Sequence, residues 1–289
     1  MPSLAIGTAN FGMPYGLSKS TDPLSIDSVA GIIAKSRSLG INCLDTANAY
    51  GNCQKVLGEI GIAGWTIVSK ISAIPNDCSD VSGFVQRQIE MILFDLKVDE
   101  VETVLVHNAG DLLGPFGDQI FGALEKHRLA GALKKIGVSI YGPELLNSVI
   151  PRYQVEVVQA PLNVLDNRLV SSGWLGKLVS RKVEVHSRSV FLQGLLLSRA
   201  LQEGEYFGRW QEVFHRWNEI SGSNVDLALQ TCLTHVKSFA DVSRVVVGID
   251  SESHVEEIAN LFRKPPQQVE DFMAGVDEDL INPSCWRVA

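Results

Sequence analysis

Eight short apolar or β-branched runs recur along the chain, at residues 4–8, 41–44, 65–70, 101–107, 133–139, 155–160, 183–188 and 244–249. Each has the length of a strand, and several are apolar almost throughout, as strands covered on both faces are. Between them the apolar spacing changes to three or four. Ile26, Val29, Ile33, Ser36 and Leu39 line one helical face ahead of a stop at Gly40. Val85, Ile89, Ile92, Leu93 and Leu96 line a second, and Ile120, Ala123, Leu124 and His127 a third ahead of Gly131. The spacing predicts further helices over 143–150, 169–181, 225–235 and 253–261. Strand followed by helix, eight times over, predicts a closed α/β barrel of parallel strands, the (β/α)8 TIM barrel. An open doubly wound sheet is the alternative, disfavoured because no G-x-G-x-x-G turn follows the first strand.

The chain has 289 residues and no Pro/Gly/Ser-rich linker to divide it. Residues 1–289 are therefore expected to form a single barrel domain. The stretch 198–224, rich in aromatic and charged residues, reads as an insertion between strand seven and its helix. Loops that follow strands gather at the C-terminal mouth of this fold, where active sites are built. That places 198–224 as a candidate lid over a substrate.

Charge and cysteine usage narrow the setting. A formal net charge of −8 and the absence of a dense Lys/Arg stripe argue against a nucleic-acid partner. Cys43, Cys53, Cys78, Cys232 and Cys285 are scattered and contain no C-x-x-C pair, so neither a disulfide framework nor a zinc site is expected. No apolar run approaches the ~18 residues of a membrane span, and the N-terminus lacks the basic start and apolar stretch of a secretory signal. A cytoplasmic protein without a membrane partner is the expectation.

The candidate chemistry lies where the strands end. Asp45 follows the second run, Lys70 ends the third, His107 ends the fourth, and Tyr50 lies in the loop after Asp45. In a barrel all four should reach one mouth. A phenol of ordinary pKa about 10 donates a proton usefully when neighbours tune it. Lys70, held by Asp45, is expected to lower the pKa of Tyr50, while His107 orients a substrate oxygen. The set suits proton donation to a carbonyl oxygen while a hydride arrives from elsewhere, or the reverse. No H-x-H pair accompanies it, so a catalytic metal is not expected.

Each residue also has a plainer reading. Asp45 could cap the helix after Asn52, and Tyr50 could be amphipathic core. Gln159 could be a satisfied buried amide, and Ser139 a cap for the segment at Pro143. His186 and His235 read as structural. Trp210, Phe214 and Trp217 have helical spacing and read as packing, with one of them over a substrate as the alternative.

Over nearly its whole length the chain resembles the aldo-keto reductases. Asp45-Thr46-Ala47-Asn48-Ala49-Tyr50-Gly51 is similar to the D-T-A-x-x-Y-G motif of that family, and Gly7 to Gly12 resembles its first strand and turn. Lys70, His107, Gly137-Val138-Ser139, the run 158–163 and Val247-Gly248 follow in the family's order. The resemblance implies an enzyme in which Asp45, Tyr50, Lys70 and His107 reduce an aldehyde or ketone, a small-molecule carbonyl, with NADPH, NADH also being admitted. It implies a cofactor held by Gly7, Thr8 and Asp45; by Ser139 and Gln159 at its carboxamide; by Arg188, Ser189, Phe191, Gln193 and Gly194; and by Gly248, Ser251, His254 and Glu257. The run 188–196 and the terminal 281–286 resemble a bacterial branch linked to surface-sugar pathways. Phe11, Tyr15, Asn48, Asn108 and the 198–224 loop are the expected pocket contributors, the two asparagines suggesting a polyol or sugar-like substrate.

Three positions depart from the family pattern. Ile140 stands where an asparagine commonly follows the strand-five serine. Arg188 stands where an aromatic usually stacks on the nicotinamide; its charge would disfavour the oxidised, cationic ring, or else turn toward a cofactor phosphate. After strand eight, Asp250, Glu252 and His254 replace the usual basic residues, which weakens the preference for NADPH. These departures keep a second reading open, a cofactor-binding regulatory or redox-sensing barrel with little turnover.

Overall fold

The structure is a computed structural model that describes residues 1–17, 22–269 and 277–287. Its strands are β1 (Ser3–Gly7), β2 (Cys43–Asp45), β3 (Thr66–Ile71), β4 (Val101–Val106), β5 (Leu133–Ser139), β6 (Val157–Pro161), β7 (Glu184–Arg188) and β8 (Arg244–Gly248). They pair in parallel and in sequence order, and β1 pairs with β8 to close the barrel. Every strand starts and stops within two residues of the predicted run. The (β/α)8 expectation therefore holds, and the open sheet is excluded by the pairing of Gly7 with Gly248.

Each strand is followed by a helix packed outside it: α1 (Ile26–Ser38), α2 (Cys53–Ile60), α3 (Val81–Leu96), α4 (Gly117–Leu129), α5 (Leu146–Arg152), α6 (Trp174–Ser180), α7 (Val225–Lys237) and α8 (Glu252–Arg263). Polar caps start several of them. Ser25, Asp80, Asn224 and Ser251 accept from the amides of Ser28, Gly83, Leu227 and His254, satisfying donors that a helix leaves free in its first turn. The predicted apolar faces turn inward: Val29, Ile33, Val85, Ile89, Ile92, Leu96, Ile120 and Leu124 are buried against the strands. The helix expected over 169–181 is instead two, Arg168–Ser171 and Trp174–Ser180. Gly173 between them has φ of +75°, a left-handed conformation that interrupts the helical ladder.

Successive residues of a strand face opposite ways, and this alternation decides what the barrel encloses. Ala5, Cys43, Val68, Leu105, Val157 and Val246 form one apolar cluster of their own, separate from the core between strands and helices. Two residues further along each strand, on the same inward side, stand Gly7, Asp45, Lys70, His107, Gln159 and Gly248. The apolar layer thus floors a polar one at the C-terminal mouth.

The segment 198–224 folds into short helices, Arg199–Gln202 and Gln211–Ile220 among them. Trp217 is fully buried and its indole N–H donates to Leu196 O at 2.9 Å, while Phe214 is 3% exposed. Phe207 meets Trp286 edge to face at 5.0 Å, and Tyr206 Oη donates to Asp279 O at 3.2 Å. Trp217 and Phe214 are therefore packing residues, and the segment leans on 277–287. No helix among the described residues is long and apolar enough to cross a membrane.

Candidate active site

The loop that carries Tyr50 is tied to the strands on both sides. Asn48 N donates to Lys70 O at 3.1 Å, Thr46 N to Val68 O at 2.8 Å, and Thr8 Oγ1 to Asp45 O at 2.9 Å. The loop also presses on the β1 turn. A Cβ on Gly12 would overlap the Tyr50 carbonyl oxygen and the Cys53 amide, and one on Gly51 would overlap Gly12 O. Only glycine allows this approach, which sets the height of Tyr50 above the barrel.

Asp45, Lys70, Tyr50 and His107 meet as expected. Lys70, 1% exposed, donates to Asp45 Oδ1 at 2.5 Å, to Thr46 O at 3.0 Å and to Tyr50 Oη at 3.4 Å. An ammonium has three donors, and here each has an acceptor. Asp45 Oδ2 accepts from Gln159 Nε2 at 2.5 Å, so both carboxylate oxygens are engaged. The His107 ring stands edge-on to Tyr50, centroids 6.0 Å apart. Asp45 does not cap α2, whose N-cap is Asn52.

The electrostatics correct one expectation. The pKa of Tyr50 is raised, not lowered: burial is the largest cause, and Lys70 opposes it without overcoming it. Lys70 sits closer to Asp45 than to the phenol, so much of its charge is already balanced where Tyr50 feels it. Burial by itself would lower the pKa of Lys70, but Asp45 and Tyr50 carry it above the ordinary lysine value. His107 is pushed down to about 4, first by burial and then by the Lys70 cation. At neutral pH the mouth therefore holds an ion pair, a protonated phenol and a neutral imidazole.

A cleft opens beside this group with about 980 Å³ of atom-free space, part of it continuous with solvent. Its walls include Gly7, Thr8, Asp45, Tyr50, Gln159, Arg188, Ser189, Phe191, Gln193, Gly194, Gly248 and His254, so most residues expected to hold a cofactor share one space. Lys70 and His107 are not among the residues that line it, and Ser139, beside Gln159 in register, is buried. Ser251 is not among the residues that line the cleft; its hydroxyl caps α8 by accepting from His254 N at 3.2 Å. Glu257, one turn on, is exposed and outside the cleft wall.

The pocket contributors need more revision. Tyr15 lines the cleft, but Phe11 is 1% exposed and belongs to the core. Asn48 donates to Gln88 and accepts from Gln54, and Asn108 binds Asp111 and Gly110; neither lines the cleft. Both asparagines are spent on local structure, which removes the argument they made for a polyol. Of the 198–224 loop, no residue lines the cleft; the wall stops at Leu197. Asn10, assigned no role from sequence, does line it: Nδ2 donates to Ile249 O at 2.8 Å and to Asp250 Oδ1 at 3.0 Å, while Oδ1 is buried without a partner among the described residues. Its position two residues past the Gly7-Thr8 turn was the available signal. His235 accepts from Val269 N and contacts Asn167, a structural role.

The three departures also acquire geometry. Ile140 is 2% exposed and turns its side chain into the core, so its place in the site is taken by its carbonyl. That carbonyl accepts from Arg188 Nη2 at 3.0 Å. Asp250 and His254 share the β8 end of the cleft, with Asp250 N donating to His254 Nδ1 at 3.3 Å.

Comparisons with known proteins agree with this architecture. The Aldo/keto reductase family profile matches residues 3–278. No curated protein sequence matches the chain. Among solved structures, the aldo-keto reductase AKR11C1 of Bacillus halodurans in its holo form superposes with a TM-score of 0.74 at 19% identity, covering 93% of this chain and 89% of that one. The glycerol dehydrogenase AKR11B4 of Gluconobacter oxydans gives a TM-score of 0.69 at 16% identity, covering 91% and 86%. At such identities the likeness carries the fold.

Proposed function

The chain belongs to the aldo/keto reductase family, and from that premise we propose that it reduces a small aldehyde or ketone to the alcohol, with Tyr50 as the proton donor. One observation carries the reading: the ammonium that reaches Tyr50 Oη at 3.4 Å is itself pinned by Asp45 at 2.5 Å. Because Lys70 donates to the phenol oxygen, the phenol's own hydrogen is left to point at a substrate. As negative charge develops on the carbonyl oxygen, that proton passes to it from Tyr50 Oη. The phenolate left behind faces the Lys70 ammonium, which stabilises it. His107, neutral, hydrogen-bonds the same oxygen and orients it.

Members of this family use nicotinamide cofactors, generally NADPH, and a bound reduced nicotinamide supplies the hydride. The residues fit such a group. Asn10 Oδ1 is buried at the cleft wall without a partner among the described residues and would accept from a hydroxyl. A Cβ on Gly248 or Gly194 would meet nothing within 4 Å, so both glycines leave room for a ligand against the backbone. NADPH is the cofactor we assign, with NADH also accepted because Asp250 stands beside His254. Five free cysteines suit the reducing cytoplasm in which we place the protein; recovery of the chain in an exported fraction would refute that.

Tyr50→Phe tests the central assignment. Turnover of a panel of aldehydes should fall by about 10²-fold or more, with cofactor binding retained. Undiminished turnover removes Tyr50 from its role.

A further inference from the structure

Arg188 is the least explained charge in the cleft. The barrel already balances Lys70 against Asp45. Arg188, half-buried on the cleft wall, forms no ion pair with any carboxylate among the described residues. Desolvating a guanidinium without an anionic partner costs free energy that its hydrogen bonds and ring contact must offset.

The side chain is nonetheless held firmly. Nη2 donates to Ile140 O at 3.0 Å, Nη1 to Ser189 Oγ at 3.1 Å, and the guanidinium lies over the Tyr141 ring at 4.3 Å. Ser189 behind it has φ of +58°, a left-handed conformation unusual for a residue with a Cβ. Fully buried Asn163 fixes that turn by donating to Ser189 O at 2.9 Å. Backbone strain retained under such support is typical of functional positions. The two hydrogen bonds occupy part of a five-donor fork, and the rest of it remains for a ligand.

Direction separates two uses of that fork. From the end of β7, Arg188 leans across β6 to the end of β5, where Ile140 and Tyr141 receive it. The Gly248 and His254 end of the cleft lies on the other side, at β8. The guanidinium is therefore turned away from the β8 loop, and it lines the same cleft as Tyr50. Consistent with that placement, its charge is felt by Tyr15, Tyr50 and His107.

We propose that Arg188 is a specificity-determining residue that binds an anionic group, a carboxylate or a phosphate, carried by the substrate within a few atoms of its reacting carbonyl. The inference rests on the reductase reading above and narrows its substrate class. A planar guanidinium meets either anion with two parallel hydrogen bonds, and its fixed orientation would set which carbonyl face meets Tyr50.

The test pairs anionic aldehydes with neutral counterparts of similar shape: 4-oxobutanoate with butanal, and glyceraldehyde 3-phosphate with glyceraldehyde. With the wild-type protein and reduced cofactor, kcat/KM should favour the anionic member of at least one pair by about tenfold or more, and the pair that shows it identifies the anion. That ratio should fall as ionic strength rises. It should collapse toward unity in Arg188→Met and stay partly in Arg188→Lys. Ratios near unity in the wild type, or ratios that survive in Arg188→Met, overturn the proposal; in the latter case the arginine serves only the cofactor, and both members of a pair lose together. Calorimetric titration of succinate and of inorganic phosphate into the full chain, without turnover, gives an independent reading. At least one should bind the wild type about tenfold more tightly than Arg188→Met, and equal binding refutes the idea. If no aldehyde is turned over, the reductase reading fails, and the calorimetry still decides this one.

Discussion

At the scale of single residues, Lys70 and Asp45 are coupled so tightly that neither stands alone. Removing one charge from a buried pair leaves the other desolvated and unmatched. Asp45→Asn should therefore lower stability by about 3–5 kcal/mol, read from urea unfolding of both proteins at pH 7. A loss under about 1 kcal/mol, the worth of a surface pair, would mean that water reaches Lys70. The pH profile is set by two other groups. His107, depressed to about 4, is already neutral at pH 5, and protonation sets in only as pH falls toward 4. Tyr50, raised above its ordinary value of 10.0, keeps its proton through the neutral range and loses it only above that pH. Reductive kcat/KM should accordingly be flat between about pH 5 and 9 and decline on the alkaline side only beyond 10. An ionisation near 6.5 in the profile would show that His107 titrates as a solvent-exposed histidine.

Between elements, the contact that matters most is that of the β1 turn with the Tyr50 loop. Gly12 and Gly51 touch backbone to backbone, with no space for a methyl group at either. Relief of a Cβ at position 12 requires the Tyr50 carbonyl and the start of α2 to shift, and displacement of about 1 Å at a reacting group costs on the order of 10²-fold in rate. Gly12→Ala should thus lose turnover while the fold, followed by circular dichroism, persists. Turnover kept at the wild-type level would indicate that the turn yields without moving the phenol. The sequence showed Gly12 only as part of a motif; its reason is a contact between residues far apart in the chain.

For the molecule as a whole, the cleft runs from Asp45 and Tyr50, at the end of β2, to the β8 end, where Asp250 and His254 lie. We assign cofactor preference to the β8 end. A carboxylate there repels a 2′-phosphate through largely solvated space, an effect the size of a surface ion pair. Asp250→Ser should raise kcat/KM for NADPH relative to NADH by about two- to fivefold, with the same aldehyde for both cofactors. A ratio that does not move would place the phosphate elsewhere, against Asn10 or the start of α8.

Much of this was legible in the chain alone, for reasons of locality. Strand alternation is a property of neighbouring residues, so eight apolar runs with a polar residue at their ends sufficed to predict the barrel and to bring Asp45, Tyr50, Lys70 and His107 to one mouth. The glycine that divides 169–181 was visible in the sequence, but its left-handed conformation was not. The polarity of the pocket was misjudged because Asn48 and Asn108 reveal their partners only when Gln54, Gln88 and Asp111 are folded around them. Likewise the direction of the Tyr50 pKa depends on burial, the sum of everything packed around the phenol. The order of side chains along the strands was set by sequence; which donor finds which acceptor, and whether Arg188 leans toward β5 or β8, was decided by contacts across the barrel that no local pattern encodes.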